Sequence, residues 1–197
     1  MPPGEVLFIT YRLYGTLPHT VLLNIQQKHQ FLLKRFEEMD SVPHDRDEWR
    51  ARYFLSIDKH IDTNIESVSW LGEQKIADIV KESIHFRDGK QFDVHAYCIM
   101  PNHVHLLVTN LSDSIPFHRV LGSMKANSAK KCNVELGRIG ETFWASESYD
   151  HLVRTDKSFN RIIGYILNNP VKAGLAEAWE DWPHTYLKSG NAGGSPP

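Results

Sequence analysis

Cysteine and long apolar runs are both scarce in this sequence. Cys98 and Cys132 are its only cysteines, too few for a disulfide scaffold or a four-cysteine zinc site, and they indicate buried thiols in a reducing cytosol. No apolar run approaches the ~20 residues of a transmembrane helix, so we expect no membrane partner. The first residues, MPPGEVLFITYR, do not resemble a signal peptide. A cytoplasmic globular protein is therefore expected.

A charge excess of one sign is also missing, because the formal net charge is only −2. The charges are unevenly placed, however. Residues 37–66 hold nine acidic and four basic side chains, whereas residues 116–172 hold nine basic and five acidic ones. The basic region favours a phosphate-bearing partner, although a solvated helix face explains the same pattern equally well.

The apolar pattern predicts four strands and four helices. Strands are expected at residues 6–12, 92–100, 103–109 and 149–153, and helices at residues 20–38, 72–86, 115–135 and from 155 onward. The last helix is expected to end near Asn169, because Pro170 cannot continue its hydrogen bonding. Residues 40–70 are predicted to form an extended connection with short ordered pieces. This order indicates an α+β fold with one domain over residues 1–188 and a disordered tail over residues 189–197.

Two histidines, His103 and His105, lie two residues apart in the predicted strand segment YCIMPNHVHLLV. Alternate side chains of a strand share a face, so both imidazoles point the same way. Such a pair can bind a divalent metal, and burying it in an apolar run costs free energy unless the rings are hydrogen-bonded or metal-bound. A metal site and a hydrogen-bonded core pair are about equally consistent with the pattern.

Tyr165 and Asn169 lie four residues apart in the segment GYILNNPVKAGL, and therefore on one face of a helix. A tyrosine phenol can act as a nucleophile, and an asparagine carbonyl oxygen suits a hard cation such as Mg²⁺. Spacing alone favours a packed aromatic ring followed by a helix-capping asparagine.

Three segments in a fixed order resemble the REP-associated tyrosine transposases, which are single-tyrosine, HUH-type transposases of the IS200-like group. The segments are MPNHVHLLV, SYDHLVR and YILNNPVKAGL, and the resemblance runs from residue 8 to residue 186. It implies a ferredoxin-like (RRM-like) antiparallel sheet with helices packed on it and the HUH strand in the centre. It also implies that the protein forms a homodimer.

The resemblance further implies a chemistry. In the family pattern His103, His105 and Asn169 hold Mg²⁺ or Mn²⁺, and Tyr165 is the catalytic nucleophile. The implied activity is cleavage and rejoining of single-stranded DNA near hairpin or palindromic repeats through a 5′-phosphotyrosine. A domesticated protein that only binds hairpin DNA and a metal-dependent hydrolase without a covalent step are the alternatives.

Basic side chains of the C-terminal half are candidates for contacts with DNA phosphates. Each is equally consistent with an ordinary surface charge. The candidates are Lys125, Lys130, Lys131, Arg154, Arg161 and, as a further polar contact, His151. Tyr149 is a second candidate nucleophile, but its place on a strand beside Asp150 and His151 fits a structural or substrate-positioning role better.

Overall fold

The computed structural model describes residues 2–38, 56–58, 60–61 and 68–190. The strands are β1 (Val6–Leu13), β2 (Phe92–Ile99), β3 (His103–Asn110), β4 (Trp144–Val153) and β5 (Thr185–Leu187). The helices are α1 (His19–Glu38), α2 (Gln74–His85), α3 (Phe117–Glu135) and α4 (Asp156–Lys172), and residues 56–58 and 60–61 are also helical. No helix within these ranges is both long and apolar enough to cross a membrane. Most of the expected extended connection and residues 191–197 of the expected tail lie outside the described residues.

The five strands form one antiparallel sheet in the order β4-β1-β3-β2-β5. The strand that carries the two histidines, β3, is therefore its central strand. The strands β1 to β4 have the order of a ferredoxin-like sheet. The helix α2 lies in the connection from β1 to β2, and α3 lies in the connection from β3 to β4. The expected α+β fold with a central histidine strand is confirmed.

Each face of the sheet packs against a different set of helices. Val104, Leu106 and Val108 of β3 point into the main apolar core, which α2 and α3 cover. Leu107 points to the opposite face, where α4 supplies the covering side chains. Because side chains alternate along a strand, His103 and His105 share the α4 face with Leu107. The sheet thus separates an apolar core on one side from the polar pair on the other.

Two elements differ from the expected boundaries by three or more residues. The strand β4 begins at Trp144 rather than at residue 149, because it pairs with β1 as far as Leu13. The helix α4 continues through Lys172, so the expected end near Asn169 is wrong. Pro170 removes a single N–H donor, and the helical bonding resumes when the Ala173 N–H donates to the Asn169 carbonyl at 3.0 Å.

The short edge strand β5 has no counterpart among the expected elements. Its three residues pair with β2, with Tyr186 opposite Tyr97, and the rings of these two tyrosines stack with their centroids 5.2 Å apart. A three-residue strand is too short to show an alternating pattern, so only pairing with β2 defines it.

We expect Leu106→Ala to lower the free energy of unfolding by about 2–5 kcal/mol, because it leaves a cavity under the central strand. Leu106 is fully buried. The matched control is Leu111→Ala, whose side chain is 42% exposed and should change stability by less than about 0.5 kcal/mol. Urea denaturation of the two variants measures the difference, and equal losses would contradict this description of the core.

Candidate metal centre

The two histidines of β3 meet at their Nε2 atoms, which lie 2.9 Å apart. Both side chains are completely buried, and their ring planes are inclined at 78° with the centroids 4.5 Å apart. The expected pair on one strand face is therefore present, with its unblocked nitrogen atoms directed at one point.

A chain of hydrogen bonds sets the tautomer of His103. The Asn102 Nδ2 donates to the Ile61 carbonyl at 2.9 Å, which leaves the Asn102 Oδ1 facing the His103 Nδ1 at 2.6 Å. Because an amide oxygen only accepts, the His103 Nδ1 carries the proton and donates it. The lone pair of neutral His103 is then on Nε2, the atom that faces His105, as metal-binding histidines require.

His105 is held from the neighbouring strand. Its Nδ1 lies 2.6 Å from the Thr10 Oγ1, and Thr10 is its direct partner in the pairing of β1 with β3. A hydroxyl group both donates and accepts. Thr10 can therefore accept from the His105 Nδ1 when the His105 Nε2 lone pair is needed for a metal.

Burial keeps both imidazoles neutral. Burial and, to a smaller extent, the nearby Lys172 charge together lower the pKa of His103 to about 3. The pKa of His105 also lies well below its usual value, because burial lowers it most and the neighbouring His103 and Lys172 lower it as well. Neutral imidazoles with available lone pairs are the form that binds divalent metals.

Sequence reasoning missed Asp58, which counted there only as part of an acidic region. Its carboxylate Oδ1 lies 3.5 Å from the His105 Nε2, and both side chains are buried. One ligand atom each from Asp58, His103 and His105 lie within 4.8 Å of one another. No local signal reveals this contact, because Asp58 is far from the histidine strand in the chain and reaches it only through the fold.

The candidate nucleophile lies beside the histidines. The ring of Tyr165 on α4 is edge-on to the ring of His105, with the centroids 5.5 Å apart, and its side chain is partly exposed. One turn later the Asn169 Nδ2 donates to the Tyr165 carbonyl at 3.1 Å. The Asn169 Oδ1 is buried and accepts no hydrogen bond from the described residues. An oxygen buried in this way fits the role of a metal ligand, so the donor set suits Mg²⁺ or Mn²⁺.

Lys172 is a second residue that the sequence argument did not single out. Its Nζ lies 6.0 Å from the centre of the Tyr165 ring, and its charge acts on both histidines. The spacing from Tyr165 to Asn169 to Lys172 is four and then three residues, so one face of α4 carries all three. This spacing is the sequence signal that could have identified Lys172.

The expected DNA contacts divide between the two faces of the sheet. Lys125, Lys130 and Lys131 belong to α3, on the face opposite the histidines. Within this group, Lys125 Nζ donates to the Ala145 carbonyl at 2.8 Å, with longer bonds to the next two carbonyls of β4, and Lys131 pairs with Glu82. These contacts give Lys125 a structural role at the start of β4.

The remaining candidates lie on the same side as the histidines. His151 is paired with Phe8 of β1, whose ring contacts both His105 and Tyr165. Arg154 immediately precedes α4, and exposed Arg161 lies one turn before Tyr165 on that helix. The alternative nucleophile Tyr149 is opposite Thr10 and packs into the α4-side core.

The buried histidines predict a loss of stability in acid. Because the folded-state pKa of His103 is about 3, the unfolded chain binds more protons between that pH and about 6.5. The free energy of unfolding should therefore fall as the pH is lowered from about 6.5, with a contribution from His103 that approaches about 1.4 kcal/mol per pH unit. Denaturation in EDTA at several pH values should give a shallower slope for His103→Asn.

Exposed His118 provides the matched control, and His118→Asn should keep the wild-type slope. Identical slopes for wild type and His103→Asn would show that His103 does not remain neutral in the folded protein.

Comparison with known proteins gives consistent matches. The family model described as IS200-like transposase matches residues 66–169. A Haemophilus influenzae protein whose name places it with the REP-associated tyrosine transposases is 28% identical over an alignment of 102 residues, and the alignment covers 48% of this chain and 58% of that protein. The REP-associated tyrosine transposase of Escherichia coli K12 is 24% identical over 100 residues, or 51% of this chain and 57% of that protein. The chain thus aligns with less than two thirds of either relative.

A solved structure shows the same fold. It is that of a REP-associated tyrosine transposase bound to a REP hairpin, and it matches 93% of this chain and 77% of its own with a TM-score of 0.57 at 16% identity. Because the family-model match covers more than half of the 197 residues and extends from before the histidine strand to Asn169, the chain belongs to the IS200-like transposase family, and its resemblance to the REP-associated tyrosine transposases is confirmed.

Proposed function

We propose that this protein is a metal-dependent single-stranded DNA endonuclease and strand transferase. It cleaves DNA near hairpin or palindromic repeats through a 5′-phosphotyrosine at Tyr165 and then rejoins it. The observation that carries the proposal is the position of Tyr165, whose ring centroid lies 5.5 Å from that of His105. His105 and His103 are both buried, and their Nε2 atoms lie 2.9 Å apart. Family membership supports the same reaction class.

The proposed metal ligands are His103 Nε2, His105 Nε2 and Asn169 Oδ1. A bound Mg²⁺ or Mn²⁺ would polarise an oxygen of the scissile phosphate. The protein supplies the rigidity of this site, because β3 is the central strand and the Nδ1 atoms of both rings have hydrogen-bond partners in Thr10 and Asn102.

Tyr165 carries out the covalent step. Its Oη loses its proton and attacks the phosphorus, the bond from phosphorus to the 3′ oxygen breaks, and that oxygen leaves as a 3′-hydroxyl group after taking up a proton. The 5′-phosphotyrosine keeps the phosphodiester energy, so attack by a 3′-hydroxyl reverses the step and joins strands. The phenol of free tyrosine has a pKa near ~10, and the Lys172 ammonium near the ring favours the negative charge that develops on the oxygen.

DNA is expected to approach from the α4 side of the sheet. His151, Arg154 and Arg161 flank the site on that side and are proposed contacts for its phosphates. Hairpin DNA is the proposed substrate, in keeping with the hairpin bound in the solved relative. The proposal includes a homodimer acting on chromosomal DNA in the cytoplasm, as the family resemblance implies.

Trapping of the covalent intermediate tests the proposal. Purified protein, Mn²⁺ and labelled single-stranded hairpins from palindromes beside its own gene should yield a protein–DNA band on a denaturing gel. Tyr165→Phe should abolish the band because it removes the attacking oxygen, and His103→Ala should abolish it because it removes a metal ligand. Tyr149→Phe, the matched control, should retain it.

Other outcomes would assign a different function. Cleaved product without an adduct that survives Tyr165→Phe would indicate a hydrolase. Tight hairpin binding with neither product nor adduct would indicate a domesticated binding protein.

Lys172→Met should slow adduct formation near neutral pH by roughly tenfold, a change of about 1.4 kcal/mol in the activation free energy. The loss should shrink as the pH is raised, because hydroxide then generates the phenolate without help from the ammonium group. Lys157→Met, an exposed change in the first turn of the same helix, serves as the control in single-turnover assays. A deficit that is constant with pH would show that Lys172 does not act on the tyrosine oxygen.

A further inference from the structure

Asp58 is a buried acidic residue that lies beside the two histidines. It lies in the helical residues 56–58, and only 1% of its surface is exposed. Its Oδ1 is 3.5 Å from the His105 Nε2, the same atom that lies 2.9 Å from the His103 Nε2. Three ligand atoms of types that bind divalent metals thus lie within 4.8 Å of one another.

We propose that Asp58 is an anionic ligand of the metal ion held by His103 and His105. The proposal rests on the metal centre of the proposed function and adds a residue to it. Asp58 lies outside residues 66–169, the region that matches the family model. The carboxylate therefore comes from a part of this chain that the family match does not cover.

The position of Asp58 is set by contacts that do not involve a metal. Ile57 and Ile61 are buried against Leu17 and Ile25 in a small apolar cluster on α1 and the loop before it. The Ile61 carbonyl accepts a hydrogen bond from Asn102, which also holds His103. Because packing holds the segment against the sheet, the carboxylate is preorganised for binding.

The ligand types bear on which metal binds. A carboxylate oxygen and two imidazole nitrogens are all groups that bind divalent cations. Two imidazoles with one carboxylate suit Mn²⁺ better than Mg²⁺, which prefers oxygen ligands and retains its water. We therefore expect tighter binding of Mn²⁺ than of Mg²⁺.

Isothermal titration of the full chain with Mn²⁺ at pH 7.5 tests the proposal. Asp58→Asn should weaken Mn²⁺ binding by at least about tenfold. The exposed Asp113→Asn, which removes the same charge elsewhere, should bind within about twofold of wild type. His103→Ala should also weaken binding, which reports on the metal centre independently of Asp58.

A second readout separates ligation from a structural role. At saturating Co²⁺ the visible absorption spectrum should differ between wild type and Asp58→Asn, because the ligand set has changed. Thermal unfolding in EDTA checks that the variant folds, and Asp58→Ser replaces it if it does not.

The outcomes distinguish two failures. Wild-type Mn²⁺ affinity and an unchanged Co²⁺ spectrum in the Asp58 variant, together with weakened binding in His103→Ala, would overturn the role of Asp58 and leave the metal centre standing. Wild-type affinity in both the Asp58 and His103 variants would overturn the metal centre and with it the proposed mechanism.

Discussion

The burial of two neutral imidazoles on the central strand is the constraint on which the rest of the site depends. Polar rings at that depth need hydrogen-bond partners, and Thr10 and Asn102 provide them at the Nδ1 atoms. These contacts orient both Nε2 atoms toward a common point. The surrounding elements are arranged around this pair: β1 brings Thr10, the turn before β3 brings Asn102, and α4 brings Tyr165.

The two faces of the sheet have different surroundings, and the candidate site lies on the face that α4 covers. Its face toward α2 and α3 is a continuous apolar core, which holds β3 in place regardless of what binds on the other side. The α4 face is also apolar toward the start of the helix, where Ile162, Ile163 and Ile166 pack. Further along the helix, Tyr165 lies against His105. A rigid strand and a packed helix are the kind of support that a site for covalent chemistry requires.

The arrangement explains how one small site can combine three roles. Neutral histidines and an asparagine oxygen are groups that suit a divalent cation. The partly exposed phenol of Tyr165 lies beside His105. The Lys172 charge lowers the pKa of both histidines and lies near the Tyr165 ring. On the proposed mechanism, these groups bind the phosphate, attack it and stabilise the attacking oxygen. Asp58 adds a buried carboxylate beside His105.

Local periodicity in the sequence determined the strands β1 to β4, the helices α1 to α4 and two pairs of site residues. His103 and His105 share a face because strand side chains alternate, and Tyr165 and Asn169 share one because a helix turns every 3.6 residues. Only the tertiary structure decided that α4 lies over β3, so that Tyr165 meets His105, and that Asp58, Thr10 and Lys172 lie beside these residues. It also decided that α4 passes Pro170 and that β5 exists. These features depend on packing and pairing between distant parts of the chain, which leave no periodic signal in the sequence.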